Sequence, residues 1–249
     1  MEKDPIIEVK QLRAGYNGNT ILEQVSFGVL KGEVFVIMGG SGCGKTTLFK
    51  HLVGLIKPVS GSIIIDGDDI AHGDETLLRK VLRKIGVLYQ SAALFNSMTI
   101  AENIALPIRE YTDLSEKSID TLVKMKLTLV NLDGYENYLP SEISGGMKKR
   151  AGLARAMALN PEILFFDEPS AGLDPVASNE LDNLIIQLNK NLGTTMVIVT
   201  HELRSVCHIA HRAILLDKNK KGILVDGDPR YLRDHSTDPM VKAFFNGRS

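Results

Sequence analysis

Glycine, lysine and threonine residues between positions 39 and 47 have the types and the spacing that phosphate binding requires. The pattern Gly39-x-x-x-x-Gly44-Lys45-Thr46 fits the phosphate-binding loop G-x-x-x-x-G-K-[ST]. The glycines let backbone N–H groups converge on phosphate oxygens, Lys45 supplies a positive charge, and the Thr46 hydroxyl is a ligand for Mg²⁺. We therefore predict that the chain binds a nucleoside triphosphate. The predicted loop residues are Gly39, Gly40, Ser41, Gly42, Cys43, Gly44, Lys45, Thr46 and Thr47.

Two carboxylates follow the short apolar segment Ile163–Phe166. Asp167, at the end of this predicted strand, is placed to hold Mg²⁺ through its water shell. Glu168 is expected on the opposite side of the strand end, because side chains alternate along a strand, and there it would orient or deprotonate an attacking water. The sequence thus predicts metal-assisted hydrolysis of the bound triphosphate.

Two further polar residues follow predicted strands. Gln90 ends the segment Ile85–Tyr89, and His201 ends the segment Thr195–Thr200. Open α/β sheets bind their ligands at the carboxyl ends of strands, so both residues are candidates for the same site. A histidine in this position can donate a hydrogen bond to a γ-phosphate.

A second glycine-containing segment, Ser144–Gly146, precedes a predicted helix over residues 148–159. Free N–H groups at a helix N-terminus attract anions, which makes this segment a second candidate phosphate-binding surface. The basic residues Lys148–Arg150 are interpreted as a solvated helix face.

Tyr16 lies in the predicted turn Gly15–Gly18. It is either an ordinary turn tyrosine or an aromatic face on which an adenine ring stacks. The residues around it leave both interpretations open.

The elements that position these residues alternate between strands and helices. Val34–Met38 is apolar throughout, as expected for a parallel strand that is buried on both faces. Antiparallel strands are predicted at Ile7–Leu12 and Ile21–Leu30, and a helix capped by Ser115 carries apolar residues at helical spacing. We predict one α/β domain with three parts: a core over residues 1–90 and 160–235 that includes an antiparallel β subdomain, a helical subdomain over 91–159, and a tail over 236–249.

Composition restricts the possible functions. The chain has 249 residues, a net charge of −1 and 24% charged residues, so no bulk charge favours nucleic acid or an anionic bilayer. Its two cysteines, Cys43 and Cys207, provide no disulfide framework and indicate free thiols in a reducing compartment. No apolar run approaches the roughly 18 residues of a membrane span, so a membrane role would require a separate partner chain.

In order and spacing, these motifs resemble the nucleotide-binding subunit of ATP-binding cassette (ABC) transporters over nearly the full chain. The resemblance implies an α/β P-loop NTPase (RecA-like) core with an antiparallel β subdomain and an inserted helical subdomain. It also implies that Tyr16 stacks on adenine and that Gln90 contacts Mg²⁺. The matching motifs are Walker A at Gly39–Thr46, the Q-loop at Gln90, the signature Ser144, Gly145 and Gly146, Walker B at Ile163–Asp167, catalytic Glu168, the D-loop Ser170–Asp174 and the switch His201.

In that family, two subunits pair head to tail, and the Walker A loop of one and the signature of the other enclose each ATP. The resemblance therefore implies a second copy of this chain, with Asp174 near the nucleotide, and an integral membrane permease that the ATPase cycle moves. One residue departs from the family pattern, because Met147 stands where the signature usually has Gln. Phosphate contacts must then come from Ser144 and backbone N–H groups, since a thioether cannot replace an amide.

The Ser-Gly-Gly-Met string is similar to ATPases that work with Mce-type proteins in bacterial phospholipid transport, the Mla kind. The segments Gln90–Phe95, Leu106–Glu110 and Asp238–Gly247 point the same way. This resemblance implies an Mce-type lipid-binding partner, a small accessory protein and a place on the cytoplasmic face of the inner membrane. The alternatives are another cargo such as an amino acid, an ion or a lipoprotein, a non-transport cassette ATPase, and a small-molecule phosphotransferase, which would not explain Ser144–Gly146 or Glu168.

Two apolar segments lack an assigned partner in the sequence. Residues between Gln90 and Pro107 either pack inside the helical subdomain or form a groove for a short helix of the membrane partner. In the tail, Asp238 and Pro239 predict a helix start. The tail helix must dock on its own domain, on a second copy or on an accessory protein, and the resemblance favours a contact outside its own core. Its apolar residues are Met240, Val241, Phe244 and Phe245.

Overall fold

The computed structural model describes residues 4–16 and 19–247, and only the backbone at Tyr16. By contacts the chain divides into two compact units, one formed by Met1–Leu82 with Thr195–Ser249 and the other by Arg83–Thr194. In chain order, the first unit begins with β1 (Pro5–Tyr16), β2 (Asn19–Leu30), β3 (Val34–Gly39), α1 (Lys45–Leu52), β4 (Ser60–Ile65), β5 (Asp68–Asp69) and α2 (Glu75–Leu82).

The second unit contains two strands, four α-helices and a 3₁₀ turn among its described residues. They are β6 (Ile85–Leu88), α3 (Ile100–Tyr111), α4 (Glu116–Leu129), the 3₁₀ turn Pro140–Glu142, α5 (Gly145–Ala156), β7 (Ile163–Asp167) and α6 (Pro175–Leu192). The chain then returns to the first unit with β8 (Thr195–Val199), α7 (Leu203–Ile209), β9 (Arg212–Asp217), β10 (Gly222–Gly227), α8 (Pro229–His235) and α9 (Pro239–Phe245).

Strands of the first unit form an antiparallel layer and a mainly parallel layer. The antiparallel order is β2-β1-β4-β5, as predicted for the N-terminal segment, while β10, β9, β3 and β8 follow one another in the other layer. There β3 runs parallel to both β8 and β9, and all of its residues are buried. The prediction of a buried parallel strand before the phosphate loop is therefore confirmed.

Arg212 ties the two layers of the first unit together. Its guanidinium donates to the Glu33 carboxylate at 2.8 Å and to the Asp226 carboxylate at 2.9 Å, and it reaches the carbonyl of Gly28 at the end of β2. It also lies 4.8 Å from the ring centroid of Phe35. Because the guanidinium is partly buried and has several acceptors, it holds the base of β3 more firmly than a single surface ion pair would.

In the second unit, β6 and β7 pair in parallel, so Leu88 and Phe166 lie side by side where both strands end. Helix α4 begins after Ser115, whose hydroxyl accepts from the Ser118 N–H, which confirms the predicted cap. Helices α3, α4 and α5 fall in the predicted helical segment 91–159, and the contact-based unit also contains β6, β7 and α6. Among the described residues, no helix is long and apolar enough to cross a membrane.

The C-terminal helix α9 packs on its own chain. Asp238 caps it through hydrogen bonds from the Met240 and Val241 N–H groups, as predicted. Val241 is 1% exposed and Phe244 8% exposed, whereas Met240 is 44% exposed. The expectation that this helix docks outside its own core is thus wrong for Val241 and Phe244. Local spacing alone could not show this, because it gives the apolar residues of the helix and not the surface that covers them.

We predict that Phe244→Ala lowers the free energy of unfolding by about 3 kcal/mol, because a large buried ring is replaced by a cavity. Met240→Ala, on the same helix but exposed, should change it by no more than about 0.5 kcal/mol. Urea unfolding of the two variants measures both values. Equal small losses would show that α9 does not belong to the core.

Candidate nucleotide-binding site

The phosphate loop leaves β3 through a glycine that has no room for a side chain. A Cβ on Gly39 would lie 2.5 Å from the Cys43 Sγ and 2.7 Å from the Leu216 carbonyl oxygen. At Gly40 and Gly42, in contrast, a Cβ would meet nothing within 4 Å. The loop is therefore tight against the protein on one side and open on the other, which is the cradle that a chain of phosphates needs.

Lys45 is folded over this cradle. Its Nζ donates to the Gly39 carbonyl at 2.8 Å and to the Gly40 carbonyl at 3.0 Å. The ammonium group thus stands at the loop, where it can exchange these acceptors for phosphate oxygens. Thr46 is exposed and offers its hydroxyl oxygen, whereas Thr47 is buried. Helix α1 begins at Lys45, so the last residues of the loop motif form its first turn.

Cys43 belongs to the closed side of the loop. It is buried as a free thiol, and burial raises the pKa of this thiol, an effect that the nearby Lys45 charge opposes. A neutral thiol acts here as a small apolar group. Ser41 is exposed, so the two residues face different surroundings.

The carboxylates lie at the end of β7, as predicted, but not in the predicted geometry. The strand ends at Asp167, and Glu168 has a φ of 46°, in the left-handed region. The argument from alternating strand side chains is therefore wrong for Glu168. A left-handed conformation costs a non-glycine residue about 1–2 kcal/mol, so the surrounding structure must stabilise it.

Gln90 is exposed and lies in a turn, two residues after the end of β6. The turn continues through Ala92 and Ala93, both left-handed, with φ of 59° and 49°. Arg155 of α5 donates to the Ala92 carbonyl at 2.9 Å and to the Ala93 carbonyl at 2.7 Å. Two adjacent strained residues are thus held by hydrogen bonds from a neighbouring helix.

Ser144 caps α5, since its hydroxyl accepts from the Met147 N–H at 3.3 Å. The helix begins at Gly145, so both glycines lie inside its first turn rather than before it, which corrects the prediction. Gly145 is exposed and has no Cβ to shield the N-terminal N–H groups. This arrangement suits an anion-binding helix end.

The interpretation of Lys148–Arg150 as a solvated face is wrong for two of the three residues. Lys149 is 5% exposed, and its Nζ donates to the Gln90 carbonyl at 2.5 Å and to the Glu168 carbonyl at 3.3 Å. Burial lowers the pKa of Lys149, and the charges of Asp167 and Glu168 oppose this shift. Arg150 pairs with Glu180 on α6. Sequence reasoning missed Lys149 because its acceptors are backbone carbonyls, which carry no sequence signal.

The structure describes the side chains of His201 and Asp174 but not that of Tyr16. His201 is exposed and lies two residues after the end of β8. Asp174 caps α6, and hydrogen bonds from the Ala177 and Val176 N–H groups lower the pKa of its carboxyl. For Tyr16, the side chain lies outside the described residues, as do Asn17 and Gly18 of the predicted turn.

Comparison with known proteins defines the class. The family model described as "ABC transporter" matches residues 22–171. A dimeric ATP-binding cassette solved with ADP and phosphate superposes with a TM-score of 0.81 at 29% identity, covering 90% of this chain and 99% of that one. CbiO1 of Clostridium perfringens, part of an ABC transporter complex, gives a TM-score of 0.85 at 28% identity, covering 92% and 91%. The predicted P-loop NTPase fold is confirmed.

Curated relatives extend the match over nearly the whole chain. The phospholipid transport ATP-binding protein MlaF of Escherichia coli is 39% identical over 97% of this chain and 89% of the relative. A probable ribonucleotide transport ATP-binding protein, Mkl, of Mycobacterium leprae is 43% identical over 97% of this chain and 69% of the relative. The chain belongs to the ABC transporter family, and it is a nucleotide-binding ATPase of that family.

Two substitutions in α5 test whether the Met147 side chain contributes to ATPase activity. Ser144→Arg should abolish ATPase activity, because it puts bulk and charge at the N-terminus of α5. Met147→Gln should change kcat by less than about threefold, because the Met147 N–H, and not its thioether, makes the observed cap. Steady-state ATPase assays test both, and equal losses would show that the methionine side chain has a role of its own.

Proposed function

We propose that this chain is the ATP-hydrolysing subunit of a transporter that moves phospholipid between bacterial membranes. The observation that carries the proposal is the phosphate loop, closed behind Gly39 and open at Gly40 and Gly42, in a chain that matches phospholipid transport ATP-binding proteins along 97% or more of its length. The loop supports ATP binding, and the relatives support the cargo.

The predicted catalytic and metal-binding residues have proposed roles in hydrolysis. Lys45 and the loop N–H groups hold the β- and γ-phosphates. Glu168 orients or deprotonates the attacking water, and His201 donates a hydrogen bond to the γ-phosphate. Mg²⁺ would neutralise charge that develops on the phosphate oxygens, and its proposed ligands are Thr46, Gln90 and Asp167. These oxygen donors fit this hard cation, which keeps few protein ligands and several waters.

We further propose that two copies of this chain pair head to tail around two ATP molecules. The exposed N-terminus of α5 supports this, because free N–H groups at a helix N-terminus can bind an anion. In the proposed dimer, that anion is the phosphate chain of the ATP held by the other copy. A related cassette has been solved as a dimer with ADP and phosphate. In the proposed dimer, Ser144, Gly145 and Gly146 contact the ATP on the other copy, while Asp174 and Tyr16 complete the nucleotide site.

The cargo proposal rests on the MlaF-named relatives and on Met147. The Mkl-named relatives point instead to ribonucleotides, so a ribonucleotide is the second candidate cargo. The Ser-Gly-Gly-Met string and the Asp238–Gly247 tail favour the phospholipid system. In that system the proposed partners are a membrane permease, an Mce-type lipid-binding protein and a small accessory protein, with this chain on the cytoplasmic face of the inner membrane.

The proposed function is tested in the reconstituted transporter. ATP should drive transfer of labelled phospholipid between vesicles, and Glu168→Gln should stop both transfer and hydrolysis while ATP stays bound, because charge and water positioning are lost but the phosphate cradle remains. Lys45→Ala should lose hydrolysis through weaker ATP binding. Nucleotide-binding assays and gel filtration with ATP separate the two variants.

A Glu168→Gln protein that hydrolyses ATP at the normal rate would overturn the catalytic assignment. ATP-dependent transfer of a ribonucleotide in place of phospholipid would overturn the cargo while leaving the ATPase assignment intact.

A contact with the permease is predicted at Phe95. Its ring is 51% exposed beside the guanidinium of Arg155, whereas Ile100 of the same segment is fully buried, so this segment has both an inner and an outer apolar part. Phe95→Asp should remove copurification with the permease without lowering the melting temperature. Leu192→Asp, at a side chain 50% exposed on α6, serves as the control and should retain the permease. Loss of folding in Phe95→Asp would show that this ring belongs to the core.

A further inference from the structure

We propose that Lys149 is a positioning residue whose ammonium group bridges the backbone of Gln90 and the backbone of Glu168. This lysine bridge consists of the Lys149 Nζ and the two carbonyl oxygens that accept from it. The inference rests on the roles proposed above for Gln90 and Glu168, and it adds the group that fixes them relative to each other.

The geometry of the bridge is that of a built contact rather than a surface charge. Lys149 is 5% exposed, and its Nζ lies 2.5 Å from the Gln90 oxygen and 3.3 Å from the Glu168 oxygen. Burying an ammonium group is unfavourable unless hydrogen bonds replace its water. These two acceptors lie 59 and 19 residues away in the sequence, so the ammonium group of Lys149 connects segments that are distant along the chain.

Both accepting residues lie just beyond the strands that lead to them. Gln90 is in the turn after β6, and Glu168 follows the last residue of β7 with a left-handed φ of 46°. Strand pairing fixes β6 against β7 only as far as Leu88 and Phe166. Past that point, the lysine bridge supplies the link that the strand ladder no longer provides.

The face of α5 that carries Lys149 is shaped to hold this turn. One turn further along the helix, a Cβ on Gly152 would lie 3.1 Å from the Ala92 carbonyl oxygen, so helix and turn are in close contact. Arg155, about one turn beyond Gly152, donates to the carbonyls of Ala92 and Ala93. Lys149 continues this row of contacts to Gln90 and extends it to the Glu168 backbone.

The expected consequence concerns the rate of hydrolysis rather than the affinity for ATP. The two residues that accept from Lys149 are not part of the loop that holds the phosphates, so ATP should bind as before. Displacement of a catalytic group by about 1 Å is enough to lower a rate about 100-fold. Loosening Glu168 and Gln90 should therefore slow the chemical step.

The test is Lys149→Met in the full-length chain, since methionine keeps the length and the apolar stem but donates no hydrogen bond. We expect kcat to fall about tenfold or more while KM for ATP stays within about twofold. In single-turnover assays, the fraction of active sites should be unchanged and the rate constant of hydrolysis should be lower. A merely structural role would instead reduce the fraction of active sites and lower the melting temperature without changing the rate constant of the sites that remain.

Two further variants make the test specific. Lys149→Arg retains donors that can reach two carbonyls and should recover most of the lost rate. Lys148→Met removes a charge from the neighbouring position, about 100° around the helix, and should leave kcat within about twofold. Normal kcat in Lys149→Met, or an equal loss in Lys148→Met, would overturn the lysine bridge.

Glu168→Gln is measured in parallel to separate this proposal from the proposed function. If Glu168→Gln is inactive and Lys149→Met is fully active, the lysine bridge is wrong and the proposed function stands. If Glu168→Gln hydrolyses ATP normally, the catalytic role proposed for Glu168 is wrong, and the lysine bridge, which rests on that role, is wrong with it.

Discussion

The complete burial of β3 is the constraint on which the nucleotide site depends. This strand is held on one edge by β8 and on the other by β9, and Gly39 is paired in register with Leu216. Because a Cβ at Gly39 has no space, only glycine lets the strand continue into the phosphate loop at this point. The cradle for the phosphates therefore depends on sheet packing, and Arg212 links the base of β3 to the antiparallel layer through its hydrogen bond to the Gly28 carbonyl of β2.

Much of this structure could be predicted from the sequence because the signals are local. Ser115 and Asp238 each cap a helix at the expected position, since a capping side chain bonds to N–H groups two or three residues away. The phosphate loop and the buried strand before it are equally local, because one run of residues carries both the apolar pattern and the glycines. The family motifs added the order of the remaining elements.

The errors have a common physical origin in contacts between distant residues. Lysine is usually a surface residue, and the burial of Lys149 depends on carbonyls from two other segments. Glu168 departs from strand geometry one residue after β7, where the ladder ends. In the tail, spacing identifies the apolar residues, but only the fold shows that Val241 and Phe244 are covered by their own chain. The periodicity of apolar residues describes a single helix or strand, whereas each of these features depends on contacts between different segments.

Helix α5 shows why such a segment is hard to interpret from its sequence. Its buried residues include Lys149, Ala151 and Gly152, which do not form the stripe of large apolar side chains typical of a core helix. The surface that it covers consists partly of backbone carbonyls, and carbonyls are satisfied by donors and by close approach rather than by bulk. A lysine, a glycine and an arginine spaced three residues apart along the helix are therefore residues that suit packing against an irregular turn. The helix that carries the signature at its N-terminus thus also supports, along its side, the turn that contains Gln90.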